Sequence, residues 1–234
     1  MKNFFKKILN LLGLDIKRFN PNLFGLNPMH DLKKLMNTKS PIIFDVGANK
    51  GQSIKIFYTL FPKCKIHAFE PSKETFQELS KKFKKSDKLN LWNIGFGASE
   101  KRLSFFENSC SDMSSFLKPS TEAWGEIIKE SELDIHTLYS FCHKNNIDKI
   151  DLLKIDTQGY DLEVLKGASQ ILKRGKVRLV FIELIFSDMY TGMPQVGEIF
   201  NFLYEMNFSL VTIYPLHYRN GLASFTDALF MHKS

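Results

Sequence analysis

From Pro41 onward the chain alternates short apolar runs with stretches in which apolar residues recur every three or four positions, the pattern of stacked strand–helix–strand units. Residues 42–46 read as a first buried strand, followed by a glycine-bearing turn and a helix carrying Ile54, Phe57, Tyr58 and Phe61 on one face. Residues 65–70 read as a second strand; Pro71 and Ser72 then open a helix that turns Phe76, Leu79 and Phe83 inward. Residues 89–96 read as a third strand, 103–106 as a short hairpin arm, and 108–123 as a Ser-rich loop of the length usual over a ligand site. Asp134 is expected to cap a helix running to about Asn145. A fourth strand follows over 150–156, then a helix over 159–172 and a very apolar fifth strand over 177–185, suited to the middle of a parallel sheet. A helix over 194–206 and strands over 208–214 and 222–232 close the chain as a hairpin. The order predicts an α/β fold, a mostly parallel sheet with helices on both faces over residues 41–234, preceded by an N-terminal helical extension over 1–40.

The 234 residues suit one domain with a single core, and 44% hydrophobic with 24% charged residues are ordinary for a globular protein. Most of the 22 Phe are expected in the core. The net charge of +7 suits either a solvated lysine surface or an acidic partner: a membrane, a nucleotide-linked substrate or RNA. Cys64, Cys110 and Cys142 form no CxxC pair, so neither a zinc site nor a disulfide framework is indicated, and a reducing cytoplasm fits. Residues 1–14 set Lys2, Lys6 and Lys7 among Phe4, Phe5, Ile8, Leu9, Leu11 and Leu12. The segment is too short to span a membrane and lacks a small-residue cleavage site. It reads either as a helix packed on the domain or on a second copy in a homo-oligomer, or as a basic amphipathic helix on the inner membrane surface.

Candidate chemistry begins at Asp45-Val46-Gly47-Ala48-Asn49-Lys50-Gly51, between a strand and a helix. Glycines there let the backbone turn tightly and approach a ligand at the carboxyl end of a strand, where open α/β sheets bind nucleotide cofactors. Glu70 ends the next strand, where a carboxylate can accept both ribose hydroxyls. A dinucleotide would need GxGxxG, whereas position 49 is Asn and Asp45 brings a negative charge to the loop. That charge opposes a pyrophosphate and suits the ammonium and sulfonium of S-adenosylmethionine. No GxxxxGK[ST] phosphate loop is present. Candidate cofactor contacts are therefore Asp45, Gly47, Ala48, Asn49, Gly51, Glu70, Pro71, Ser72, Gly95 and Asp156. The fourth strand delivers Asp156 to the ligand edge and the fifth delivers Glu183. Two carboxylates so placed can share a proton or hold a divalent metal such as magnesium.

These segments, with "FDVGANKG", "AFEP" and above all "LLKID…G…VLKGA", resemble the FkbM family of methyltransferases from about Pro41 to Leu184. The resemblance implies a Rossmann-like class I methyltransferase fold, seven strands with an antiparallel last one, and O-methylation of a sugar or other hydroxylated small molecule. The sequence departs from it at Gln158, where the family usually carries an acid, and at Leu184, where related metal-dependent sugar methyltransferases sometimes place a second acid.

A sugar hydroxyl is a poor nucleophile, so it needs its proton taken by a base or its pKa lowered by a metal. Asp156, supported by Glu183, is the expected catalytic group, with His217 as an alternative base. The loop over 108–123 and the segment over 187–194 are expected to flank the acceptor pocket above Asp156. The acceptor is expected to be a sugar or nucleotide sugar. Two other readings stay open. One is an RNA ribose methyltransferase, although no RNA-binding module or arginine-rich tract is visible and no nucleic acid is expected. The other is a non-catalytic binding protein that keeps the fold.

Overall fold

The structure, a computed structural model, describes residues 23–233 together with Phe4, Lys7, Leu9, residues 11–13 and Asn20. The reading of residues 1–14 as a packed or membrane-bound helix falls mostly outside the described residues. Among those described, no helix is long and apolar enough to cross a membrane.

The first described helix is α1 (Pro28–Leu35), capped by Asn27, whose side-chain oxygen accepts from the Met29 and His30 amides. Then come β1 (Ile42–Val46), α2 (Gln52–Leu60), β2 (Lys65–Phe69), α3 (Lys73–Lys82) and β3 (Leu89–Trp92). A side layer follows: β4 (Gly95–Phe96), β5 (Lys101–Asn108) and β6 (Ile127–His136). The chain returns through α4 (Leu138–Lys144), β7 (Ile150–Ile155), α5 (Asp161–Gly167), α6 (Ser169–Lys173) and β8 (Val177–Ile185). It ends with α7 (Val196–Glu205), β9 (Phe208–Ile213), β10 (His217–Arg219) and β11 (Leu222–His232).

The main sheet runs β3-β2-β1-β7-β8-β11, with β9 and β10 sharing the outer edge of β11. The pairings from β3 to β8 are parallel, while β11 runs antiparallel to β8 and to both edge strands, as expected for the last strand. From β1 the chain moves outward to β2 and β3, then returns to β7 on β1's other side. That reversal opens a crevice at the carboxyl ends of β1 and β7.

Each face of the sheet buries its own apolar layer. On one, Phe44, Phe69, Phe96 and Phe141 meet at ring-centroid distances of 4.8–6.0 Å, mostly edge to face, under α4 to α7. On the other, Ile43, Ile66, Leu152 and Leu179 lie under Leu32 of α1 and Ile54 and Phe57 of α2. Helix α1 is fixed there by the fully buried Leu32, a contribution of about 1.5–3 kcal/mol. Asp31 adds to it by accepting from Tyr214 Oη at 3.2 Å and from the Gly25 amide at 2.7 Å.

Three expected elements come out differently. The third strand stops at Trp92, because Asn93 turns its side-chain amide onto the Glu70 and Pro71 carbonyls. Ile94 to Phe96 then pass into the side layer. Asp134 lies within β6, which was not expected, and Thr137 caps α4 instead, its hydroxyl accepting from the Ser140 amide at 3.0 Å. The helix expected over 159–172 breaks into α5 and α6 at Ala168.

Candidate functional site

The loop after β1 is anchored before any ligand is considered. The Gly47 and Ala48 amides donate to the Phe69 carbonyl of β2 at 3.1 and 2.9 Å. Gly47 sits at φ +80°, and a Cβ added there would lie 1.8 Å from the Asp156 carbonyl oxygen, so the close approach of β1's end to β7's end requires glycine. One residue on, the Asn49 amide donates to one oxygen of Glu70 and the Ser72 amide to the other, both at 2.9 Å. Glu70 is buried, and burial pushes its pKa up to about 7, against the lowering effect of those two amides. Each of its oxygens keeps a lone pair beyond the one an amide occupies.

The second part of the site follows from strand register. Asp45, Lys154, Phe181 and Leu229 are successive lateral partners across β1, β7, β8 and β11. Residues laterally opposite share a face of the sheet, and so do residues two apart along a strand. Two positions further, at the ligand edge, the same face therefore carries Gly47, Asp156, Glu183 and Asp227. Lys154 places its ammonium 3.2 Å from Asp45 and 3.3 Å from Asp156. Burial works against that charge, but the two carboxylates more than reverse the effect and hold its pKa above the usual lysine value.

Gln158 completes the constellation. Its side-chain amide donates to Asp156 at 3.0 Å and to Glu183 at 2.8 Å, and its carbonyl accepts from Tyr190 Oη at 3.0 Å. The residue sits at φ +53°, held by Asp161, whose carboxylate accepts from the Thr157 and Gly159 amides, both at 3.0 Å. Burial raises Asp161 to about 6. Burial, followed by repulsion from Asp156, Asp161 and Asp227, drives Glu183 well above the usual carboxylate range.

A cleft of about 580 Å³ opens over this edge, between Gly47, Asn49, Glu70 and Pro71 on one side and Ile94, Gly95, Phe96 and Phe116 on the other. A second cavity of about 890 Å³ meets it at Gly47, Asn49, Asp112 and Asp156. Of the residues singled out in sequence, Gly47, Asn49, Glu70, Pro71, Gly95 and Asp156 line the cleft, and Ala48 lines the adjoining cavity. The rest hold the frame. Gly51 is the N-cap of α2, and Ser72 caps α3 by accepting from the Thr75 amide at 3.2 Å. Asp45 is fully buried, tied to Lys154 and to the Ser53 hydroxyl at 2.7 Å, and it lines neither space. The negative charge expected of it at the loop mouth is carried by Asp156.

The same contacts count against magnesium at Asp156 and Glu183. The Gln158 NH2 stands between these carboxylates, where a bridging cation would have to sit, and Lys154 already occupies the other oxygen of Asp156. Among the described residues no group of three or more His, Cys, Asp or Glu side chains could hold a metal ion. His217 is exposed and stacks on Phe225, with ring centroids 4.4 Å apart.

Ser111 and Ser114, from the loop expected at 108–123, do line the cleft. Ser115 instead props the site from below, donating to the Gln158 carbonyl at 2.7 Å. From the segment over 187–194, Tyr190 is buried against Gln158 and the Met113 carbonyl. Sequence reasoning missed Asp227 and the bridging role of Gln158. Asp227 was findable only as the lateral partner of Glu183.

Solved structures with this fold include methyltransferase FkbM from Methylobacillus flagellatus KT: TM-score 0.53, 16% identity, covering 83% of this chain and 44% of that one. SMU.1697c from Streptococcus mutans, solved in complex with SAH, matches at TM-score 0.50 and 13% identity over 87% of this chain and 94% of that one. At these identities the likeness establishes the fold, a class I methyltransferase sheet. In sequence, the chain is 23% identical over 202 residues to the 2-O-methyltransferase NoeI of Sinorhizobium fredii (strain NBRC 101917 / NGR234), covering 82% of each. It is 28% identical over 148 residues to the hexuronic acid methyltransferase AglP of Haloferax volcanii, covering 61% of this chain and 55% of that one. The model of the methyltransferase FkbM domain matches residues 45–210, which include most of the sheet and the site residues from Asp45 to Tyr190 but not Asp227. The chain belongs to the FkbM methyltransferase family.

Proposed function

We propose that the protein is an S-adenosylmethionine-dependent O-methyltransferase acting on a hydroxyl of a sugar or of a sugar-containing small molecule. The observation that carries this reading is the meeting of two spaces at Asp156: a cleft with an acidic strand end at Glu70, and a second cavity beyond it. The cleft fits the cofactor. Glu70 offers ionic acceptors to ribose hydroxyls, Gly47 and Asn49 line the cleft beside it, and Ile94, Phe96 and Phe116 give a flat apolar wall for a purine. The relatives named for 2-O- and hexuronic acid methylation support sugar chemistry.

When bound, S-adenosylmethionine supplies an electrophilic methyl group, so the protein's task is to orient a hydroxyl and receive its proton. Asp156 sits where the two spaces meet, with one oxygen beside Lys154 and the other on the Gln158 amide. Both neighbours fix its rotamer, so it accepts the acceptor's hydroxyl and takes its proton at an Oδ atom. Gln158 and Glu183 act as positioning groups behind it.

Replacing Asp156 by Asn keeps the shape and removes the basic oxygen. Turnover should fall about 10²–10⁴-fold, the usual contribution of a general base. Binding of S-adenosylhomocysteine, measured by titration calorimetry, should stay within a few-fold. Full turnover in Asp156→Asn would remove Asp156 from the chemistry, and binding of NAD in place of S-adenosylhomocysteine would refute the reading itself.

A further inference from the structure

The cavity beyond Asp156 has an unbalanced floor. Among the described residues that line it, Asp112, Asp156 and Asp227 are accompanied by one cation, Lys154, already held between Asp45 and Asp156. Asp227 makes no hydrogen bond or ion pair through its carboxylate among the described residues. Burial, then repulsion from Asp156, raises it to about 6, so a hydrogen-bonding ligand would relieve it. The rest of the lining combines apolar surface, Pro28 and Met29 from α1, Ile56 from α2 and Phe181 from β8, with the polar side chains of Asn49, Gln52 and Ser53.

Position separates this cavity from the cofactor's ribose. Glu70, at the end of β2, is two strand spacings from Asp156, at the end of β7, and Asp227 on β11 is two further spacings away in the opposite direction. At about 4.8 Å per spacing, Asp227 stands roughly 10 Å past Asp156 on the side away from Glu70. A group at Asp227 therefore meets what lies beyond the transferred methyl.

We propose, resting on the methyltransferase reading above, that this cavity is the acceptor subsite, that Asp227 holds a second hydroxyl of the sugar whose methylated hydroxyl Asp156 engages, and that its carboxylates select neutral or amino sugars over uronic acids. A pyranose ring lies with its C–H face on Met29 and Phe181 and its hydroxyls toward the acidic floor. A uronate carboxylate would enter against three like charges with no second lysine or arginine lining the cavity among the described residues, which is costly in a confined, partly desolvated space. An amino sugar would instead gain from them. On this point the chain parts from the hexuronic acid methyltransferase it resembles.

The test uses the full-length protein with methyl-tritiated S-adenosylmethionine on an array of immobilised neutral, amino and uronic glycans. Label on neutral or amino sugars, at least tenfold over uronic ones, is the expected result. Label on uronic sugars at equal or greater level overturns the proposal while leaving the sugar reading intact. Label on no glycan, with S-adenosylhomocysteine still bound, overturns the sugar reading and the proposal with it. On a labelled glycan, Asp227→Asn should raise the acceptor KM tenfold or more with cofactor affinity within twofold. An unchanged acceptor KM removes Asp227 from the subsite. Met29→Trp, which narrows the cavity without touching a charge, should raise the acceptor KM in the same way; no effect places the acceptor elsewhere.

Discussion

Replacing Lys154 by methionine should cost the fold about 3 kcal/mol, and the structure says where that cost arises. The lysine lies 3.2 Å from Asp45 and 3.3 Å from Asp156, with its own side chain only 13% exposed. Its partners differ. Asp156 is 37% exposed and can be rehydrated when the ammonium is lost, so that half of the bridge contributes little. Asp45 is 0% exposed and keeps only the Ser53 hydroxyl. Removing one partner of a buried pair costs about 3–5 kcal/mol, because the other charge is left uncompensated, and the surviving Ser53 bond puts this case at the lower end. For a chain of this size, each kcal/mol moves the melting temperature by about 2–4 °C, so the midpoint should drop roughly 6–12 °C. The assay is urea denaturation with a parallel thermal melt at neutral pH. The double variant Asp45→Asn with Lys154→Met removes the orphaned charge, keeps the Ser53 contact, and should recover at least half the loss. A single variant within about 1 kcal/mol of wild type, or a double variant no more stable than the single one, would refute the reasoning.

Two further outcomes can be checked on cofactor binding. Gly47→Ala puts a Cβ 1.8 Å from the Asp156 carbonyl at φ +80°, so the ends of β1 and β7 must separate; S-adenosylhomocysteine binding should be lost in calorimetry, and affinity within twofold of wild type would contradict this. Glu70 carries a pKa raised to about 7 by burial, and its ionised form is the better ribose acceptor, so affinity should be full above about pH 7. It should fall by up to about tenfold per pH unit below that, while Glu70→Gln should bind weakly with a flat profile over the same range. A wild-type profile flat from pH 5 to 8 would mean that Glu70 does not meet the ligand.

What was legible in the sequence was local. The run from Ile42 to Gly51 declares its strand, turn and helix, because apolar periodicity and glycine placement act within a few residues. The same holds for Ile150 to Asp156 and for the apolar β8. What misled was also local. Ile94 to Phe96 continue the apolar character of β3, and only the Asn93 side chain, reaching back to two carbonyls, ends that strand at Trp92. Strand β6 faces solvent along most of its length, so no buried face imposes an alternation that a reader could find. Asp134 and Thr137 are both plausible caps, and the choice between them follows from Asp134 pairing with Arg102 in the side layer.

The site's charges illustrate the harder limit. Asp45 reads as ligand-facing because an acid beside a glycine turn usually is; here it is withdrawn because its lateral partner on β7, more than a hundred residues later, is Lys154. Asp227 reads as one polar residue in an apolar final strand, yet pairing with Glu183 places it in line with Asp156 at the ligand edge. A slip of one residue between β8 and β11 would turn that carboxylate to the opposite face and leave the second cavity with a different floor. The acidic character of the cavity is thus a property of strand register rather than of any motif. Register is fixed in turn by burying Leu179, Phe181 and Leu229 under α1 and α2. The apolar packing that stabilises this face of the sheet therefore also decides which carboxylates the acceptor meets.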